Sequence, residues 1–396
     1  MKTSQLALRI LIITFSRLLL NTAKRFIYTF APALSRFLGV PITSITSLIA
    51  IGQGTSVLGV FLAPLGDRFG YKLLMLAGLI SLTVGMFAAG ILPLYLTLVF
   101  TVMVAGLGKV LFDPAIQAYV GLKVPYHRRG LVIGILELAW AGSSVIGIPL
   151  AGVLIEKAGW QTTFILFGIL SLICFFLVLF LVPRDRGIQS SPDSSTRTLV
   201  LLKQLLTNRS AVGALLFFFF LGIANDNIFV IYASWLEGSF SLSLVALGVG
   251  TSVIGAAEIF GELFTAFFSD RIGLKRAVFI GTICSILSFV ALPFMNSSLP
   301  MALAALFLIF ISFEFTIVSS FGLCTELTPD SRATLMSGIF ATAGIGRVIG
   351  ATIGGPVWLK GGLVAIGSVS AGCTLLALLA LYWGLRDWKN EKAISD

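Results

Sequence analysis

Long apolar runs, broken by short polar turns that carry glycine or charge, fill almost the whole chain. A hydrocarbon core about 30 Å thick needs roughly 20 apolar residues per spanning helix, and the runs meet that length repeatedly. Twelve transmembrane helices are predicted. The first six fall at about 11–37, 42–65, 73–92, 95–119, 131–155 and 161–182. The second six fall at about 211–236, 243–267, 276–296, 300–323, 333–358 and 363–385. One polar stretch, 183–210, rich in Ser, Asp and Arg, reads as a linker, and its 199–206 part has the pattern of a short amphipathic surface helix. The expected organisation is a six-helix half over 1–182, a cytoplasmic linker over 183–210, and a second six-helix half over 211–396 that ends in a short charged cytoplasmic tail.

The halves echo each other. Gly66-Asp67-Arg68-Phe69-Gly70-Tyr71-Lys72 is a charged, glycine-bent turn between two apolar runs, and it returns as Ser269-Asp270-Arg271-Ile272-Gly273-Leu274-Lys275-Arg276, the aspartates 203 positions apart. Asn21, Tyr28, Pro125, Arg128, Gly134 and Gly142 recur 204 positions on as Asn225, Tyr232, Pro329, Arg332, Gly338 and Gly346. Repetition at half the chain length marks a duplication.

The turn resembles the loop between the second and third helices of the major facilitator superfamily, roughly Gly-x-x-x-Asp-Arg-x-Gly-Arg-Lys. Asp67, Arg68, Gly70 and Lys72 match it, with Ala63 at the first glycine and Tyr71 at an arginine. The second copy keeps Asp270, Arg271, Gly273 and Lys275, with Ala266 first. The resemblance implies an all-α integral membrane fold of two pseudo-symmetric six-helix halves that rock about a binding site near the bilayer midplane. It also implies a gating role for both turns, with the Asp67 carboxylate latching against the N-terminus of a helix from the other half. Gly142-Ser-Ser-Val-Ile-Gly147-Ile-Pro149-Leu-Ala-Gly152 resembles the glycine/proline motif of the family's drug:proton antiporter branch, although Ile148 separates the expected Gly-Pro pair. Gly346-x3-Gly350-x3-Gly354-Gly355-Pro356 is a tighter version, and plain close helix packing explains both at least as well.

Composition sharpens this. With 57% hydrophobic and 11% charged residues, the chain is too apolar for a soluble globular protein and leaves no room for a large extramembrane enzyme module. The net charge of +10 would suggest nucleic acid in a soluble protein. Here 19 of the 27 Lys and Arg fall in the termini and the even-to-odd loops, against Arg36, Lys157 and Lys360 on the other face. That positive-inside bias places both termini in the cytoplasm and excludes nucleic acid as a partner. A bacterial inner membrane is the expected location. The first apolar stretch, without a small-residue cleavage site, reads as a retained helix. The four cysteines sit singly in apolar segments, so disulfides and metal ligation are not expected. His127 reads as surface charge, and no ATP-binding loop, cofactor motif or catalytic set appears.

Charges inside apolar segments carry the functional information, because each is costly in lipid. Lys109 and Asp113, four apart, share a helix face and can neutralise each other, with Glu137 as a third member. Trp140 offers a stacking surface on the same helix as Glu137. Lys24, Arg25 and Tyr28 on helix 1 and Asp226 and Tyr232 on helix 7 are expected at cavity depth, with a Lys24/Arg25–Asp226 contact in view. Asn225 and Asn227 suggest a wet, irregular helix around Asp226. Arg347 has Glu314 and Glu258 among its expected partners. Arg17 reads as snorkelling to the cytoplasmic surface. Glu258 and Glu262 are one turn apart, and two carboxylates so close resist double ionisation. They are therefore the first proton carriers to test, ahead of Asp226 and Glu137.

The expectation is a monomeric secondary transporter, in contact with membrane lipid, that exports a small organic molecule against protons. Proton symport or exchange of an organic anion on Lys24, Arg25 and Arg347 is the alternative. A non-transporting membrane sensor is a third reading.

Overall fold

The computed structural model describes residues 3–62, 64–124, 126–184, 207–327 and 332–386. The expected 199–206 surface helix and most of the linker lie outside these residues, as do the side chains of Asp67, Arg68, His127 and Asp270.

The longer helices are α1 (Thr3–Thr29), α2 (Ala31–Leu38), α3 (Ile42–Gly54), α4 (Tyr71–Ile91), α5 (Tyr95–Lys123), α6 (Tyr126–Gly142) and α7 (Ile148–Leu181), followed by α8 (Arg209–Phe229), α9 (Tyr232–Phe240), α10 (Leu244–Phe264), α11 (Leu274–Ala291), α12 (Leu299–Leu327) and α13 (Arg332–Gly384). No strand occurs among the described residues. In lipid the backbone must satisfy its own polar groups, and a helix does so within one segment.

Among the described residues, nine helices are long and apolar enough to cross a membrane, or ten if the bent pair Ala31–Leu38 and Ile42–Leu58 is one span. Two of the nine are 50 residues long, and each turns at a glycine. Gly159 in α7 has φ 79° and Gly362 in α13 has φ 54°, a region that side chains avoid. Fifty residues suffice for two crossings of about 20 residues each.

Two predicted helices are interrupted. The 11–37 segment breaks at Phe30, where Pro32 enters the first turn of α2 without an amide to donate. The 211–236 segment breaks between Phe229 and Tyr232.

The chain divides into two compact units, 1–190 with 232–256, and 191–231 with 257–396. In the first, α9 and the start of α10 pack with the helices of the first six segments. Thr29 and Tyr232 share a hydrogen bond of 2.8 Å, and both guanidinium nitrogens of Arg36 donate to Glu237 at 2.7 Å. A Cβ at Gly152 would lie 2.8 Å from the Leu244 carbonyl oxygen, so that helix pair can meet only over hydrogen. The core of this unit includes Phe26, whose ring meets those of Phe30, Trp160, Phe164 and Phe167 within 6 Å.

In the second unit, α8 and α13 close on the glycine ladder read from the sequence. A Cβ at Gly346 would lie 2.1 Å from the Phe219 carbonyl oxygen, and one at Gly350 would lie 2.5 Å from that of Ile223. The ladder is thus backbone-to-backbone packing. Phe217, Phe218, Leu335, Ile339 and Leu381 fill the core beside it.

The duplicated turns do the same work in each unit. Gly70 and Gly273 cap the starts of α4 and α11 with φ 93° and 85°. The Lys72 ammonium donates to the Leu179 carbonyl at 2.6 Å, and Lys275 to that of Leu385 at 3.1 Å. Both carbonyls belong to the ends of α7 and α13, where the last helical turn lacks donors of its own.

Candidate functional site

In the first unit, α1, α5 and α6 bring together a charged cluster. Arg17 is its centre. It is 8% exposed, its guanidinium lies 2.9 Å from Glu137 and 3.4 Å from Asp113, and it donates to the Leu136 carbonyl at 2.8 Å. This corrects the snorkelling expectation. Two carboxylates and a carbonyl offered by neighbouring helices bind the fork more strongly than a climb to the surface would.

The Lys109 ammonium lies 2.6 Å from Asp113, four residues along α5, and donates to the Asn21 amide oxygen at 2.5 Å. Gln117 donates to Glu137 at 3.2 Å. The expected Lys109–Asp113–Glu137 grouping is present, joined through Arg17. The helix continues past Pro114 without interruption.

Beside the cluster, the Arg25 guanidinium lies 4.0 Å above the Trp140 ring and the Lys109 ammonium 5.3 Å from the same ring, both within cation–π reach. Arg25 also donates to the Ser144 hydroxyl. Ser144 belongs to a π-helical turn, Ser143–Gly147, between α6 and α7. Such turns insert one residue into a helix and often mark functional positions. Here the turn carries Ser144 to Arg25, and Gly147 lets it close on Thr22, whose hydroxyl would sit 2.1 Å from an added Cβ.

Lys24 donates to the Gln53 amide oxygen at 3.0 Å, and the Gln53 amide nitrogen donates to the Tyr28 hydroxyl. These three residues, with Leu20, Met86 and Thr101, line a cavity of about 40 Å³. That is room for a water or two, not for an organic molecule. Gln53, Ser144, Asn21 and Gln117 escape a reading confined to charges. Their signal is an amide or hydroxyl within an apolar run.

In the second unit, Asp226 is 1% exposed and lies 3.5 Å from the Arg347 guanidinium. Gly222, one turn before Asp226, sets this pair: a Cβ there would lie 2.7 Å from the Ala343 carbonyl oxygen and 3.2 Å from the Arg347 nitrogen. Arg347 thus has Asp226 as a partner, where the sequence pointed to Glu314 and Glu258. Asn225 and Asn227 are buried, and Asn227 donates to the Ile366 carbonyl and the Ser370 hydroxyl. Tyr232, placed with the first unit, shares hydrogen bonds with Thr29 and Thr251.

Glu258 is 5% exposed, and Glu262 and Glu314 are half-buried. Gly261, between the two α10 glutamates, brings Glu314 alongside: an added Cβ would sit 2.7 Å from that of Glu314. α10 and α12 thus meet closely in the stretch that carries Glu258, Glu262 and Glu314. Among the described residues, no group of three or more His, Cys, Asp and Glu has metal-binding geometry.

The arrangement has the character of a transporter: buried ionisable groups in networks on membrane-length helices. Known proteins agree. The family model for the Major Facilitator Superfamily matches residues 10–351 and, separately, 214–395. The uncharacterized MFS-type transporter YceJ of Bacillus subtilis (strain 168) is 24% identical over 333 residues, covering 84% of each chain. The multidrug resistance protein MdtG of Escherichia coli (strain 55989 / EAEC) is 22% identical over 362 residues, covering 89% of this chain and 86% of that one. Among solved structures, a mutant of the nucleoside transporter NupG superposes with a TM-score of 0.78 at 15% identity, covering 96% of this chain and 100% of that one, a likeness of fold. The chain belongs to the major facilitator superfamily of membrane transporters.

Proposed function

We propose that the protein exports a small organic molecule across a bacterial inner membrane by alternating access, driven by inward proton flow. The observation that carries coupling is the carboxylate group of Glu258, Glu262 and Glu314. Glu258 is almost fully buried, and the Glu314 side chain packs against Gly261, which lies between Glu258 and Glu262 in sequence. Acidic side chains inside membrane-spanning segments are costly to keep and commonly mark proton relays. Relatives named as multidrug resistance proteins support the outward direction. Asp226 and Glu137, each within ion-pair distance of an arginine, are the remaining candidates.

A thermal-shift screen of small organic compounds on the purified protein would supply a substrate. Reconstituted vesicles with an imposed pH gradient then test coupling. Glu258→Gln or Glu262→Gln is expected to lose gradient-driven accumulation while keeping downhill exchange. Full accumulation in both variants would move the carrier to Asp226. Absence of saturable flux with every compound that binds would favour a non-transporting sensor.

One observation favours a second reading, exchange or symport of an organic anion. Arg25 and Lys109 flank the Trp140 ring, and Lys24 is one residue from Arg25. A carboxylate or phosphate on an aromatic body would suit that surface. Accumulation that follows the acidic side inward, instead of opposing it, would select symport.

A further inference from the structure

The second unit carries a concave apolar strip on its outer surface, between α10, α11 and α12. Phe264 and Phe268 form one wall, their rings stacked 5.5 Å apart and 23° from parallel. Ile280 and Cys284 of α11 form the floor, and Leu308 and Phe315 of α12 the far wall. The volume, about 420 Å³, falls in the range of small-molecule sites. Convex apolar helix faces are ordinary in a membrane protein. A groove of this size is not required by them.

Two arginines neighbour the lining in sequence: Arg271 precedes Ile272, and Arg276 precedes Ile280, Cys284 and Ser288 at steps of four. Residues at that spacing form one stripe along a helix. Arg276 therefore heads the same stripe that floors the groove, and both arginines are exposed. They stand at the start of α11, on the turn where the Lys/Arg bias expects the cytoplasmic headgroup layer.

We propose that this groove seats an acyl chain of an anionic phospholipid whose phosphate is met by Arg271 and Arg276. An apolar slot whose lining neighbours two arginines matches both parts of one lipid molecule. Basic residues just beyond a membrane helix attract anionic headgroups, and guanidinium forks suit phosphate geometry. The site is distinct from the charged networks above and does not depend on what is transported.

The test uses the full chain in vesicles containing phosphatidylglycerol with a photoreactive diazirine in its acyl chain, or phosphatidylcholine labelled in the same way. Adducts are mapped by peptide mass spectrometry. Leu96 and Phe100, exposed on α5 of the other unit and away from Lys and Arg in the sequence, serve as the reference surface. Two arginines near the headgroup layer should give roughly thirtyfold more phosphatidylglycerol than phosphatidylcholine adducts in the groove, with a ratio near one at the reference. Arg271→Gln with Arg276→Gln should bring the groove to the reference ratio. If the double variant aggregates, the single variants should each lower the ratio by part. Equal ratios at groove and reference, or a preference that survives the arginine changes, would overturn the proposal. So would the absence of lipid adducts in the groove while the reference surface is labelled.

Discussion

Arg17 separates a reading by position from a reading by contact. If it snorkelled to the membrane surface, Arg17→Gln would change little. In the structure its side chain is 10% exposed and lies within ion-pair distance of Asp113 and Glu137. Removing one member of a buried ion pair costs about 3–5 kcal/mol, because the remaining charge stays desolvated. Glu137 is 37% exposed and Asp113 keeps Lys109 at 2.6 Å, so the lower end applies. Loss of the Leu136 carbonyl bond adds about 1 kcal/mol. The expected destabilisation is about 4 kcal/mol, near 5 °C in a chain of this size. Arg17→Lys keeps the charge but not the fork and should cost roughly half as much. The assay is thermal unfolding in detergent, followed by retention of a monodisperse elution peak. Arg17→Gln with Glu137→Gln should recover at least 1 kcal/mol relative to the sum of the single changes. A shift under 1 °C for Arg17→Gln, or strict additivity of the pair, would refute the reasoning.

Other consequences follow from the packing and the expected topology. Gly350→Val should prevent or severely weaken folding of the second unit, since even a Cβ would meet the Ile223 carbonyl at 2.5 Å; near-native yield and thermal stability would contradict that backbone contact. Gly273→Ala should cost about 1–3 kcal/mol through its φ of 85° and ψ of 132°, measurable as a lowered unfolding midpoint, and Gly70→Ala should match it. Cysteines introduced at Ser191 and Ser298 should react with impermeant maleimide from opposite sides of the membrane, and reaction of both from outside would overturn cytoplasmic placement of the linker.

The sequence by itself determined the membrane class, the presence of the apolar segments and the family. A hydrocarbon solvent forces every spanning segment to satisfy its own backbone, so length and apolarity are enough to find it. The duplicated turn was legible because it needs glycine at positive φ, as Gly70 and Gly273 show. The pairing of Lys109 with Asp113 was legible because four residues make one helical turn. Tertiary structure decided what depends on helix rotation and on which helices become neighbours. It turned Arg17 inward to Glu137, set Arg347 against Asp226 through the gap at Gly222, and drew Ser144 to Arg25 through a π turn. It also packed Tyr232–Phe240 with the helices of the first six segments, through Thr29 and Arg36. None of these has a fixed sequence separation. A buried charge announces that it must have a partner, but the partner's identity belongs to the packing of the helices around it.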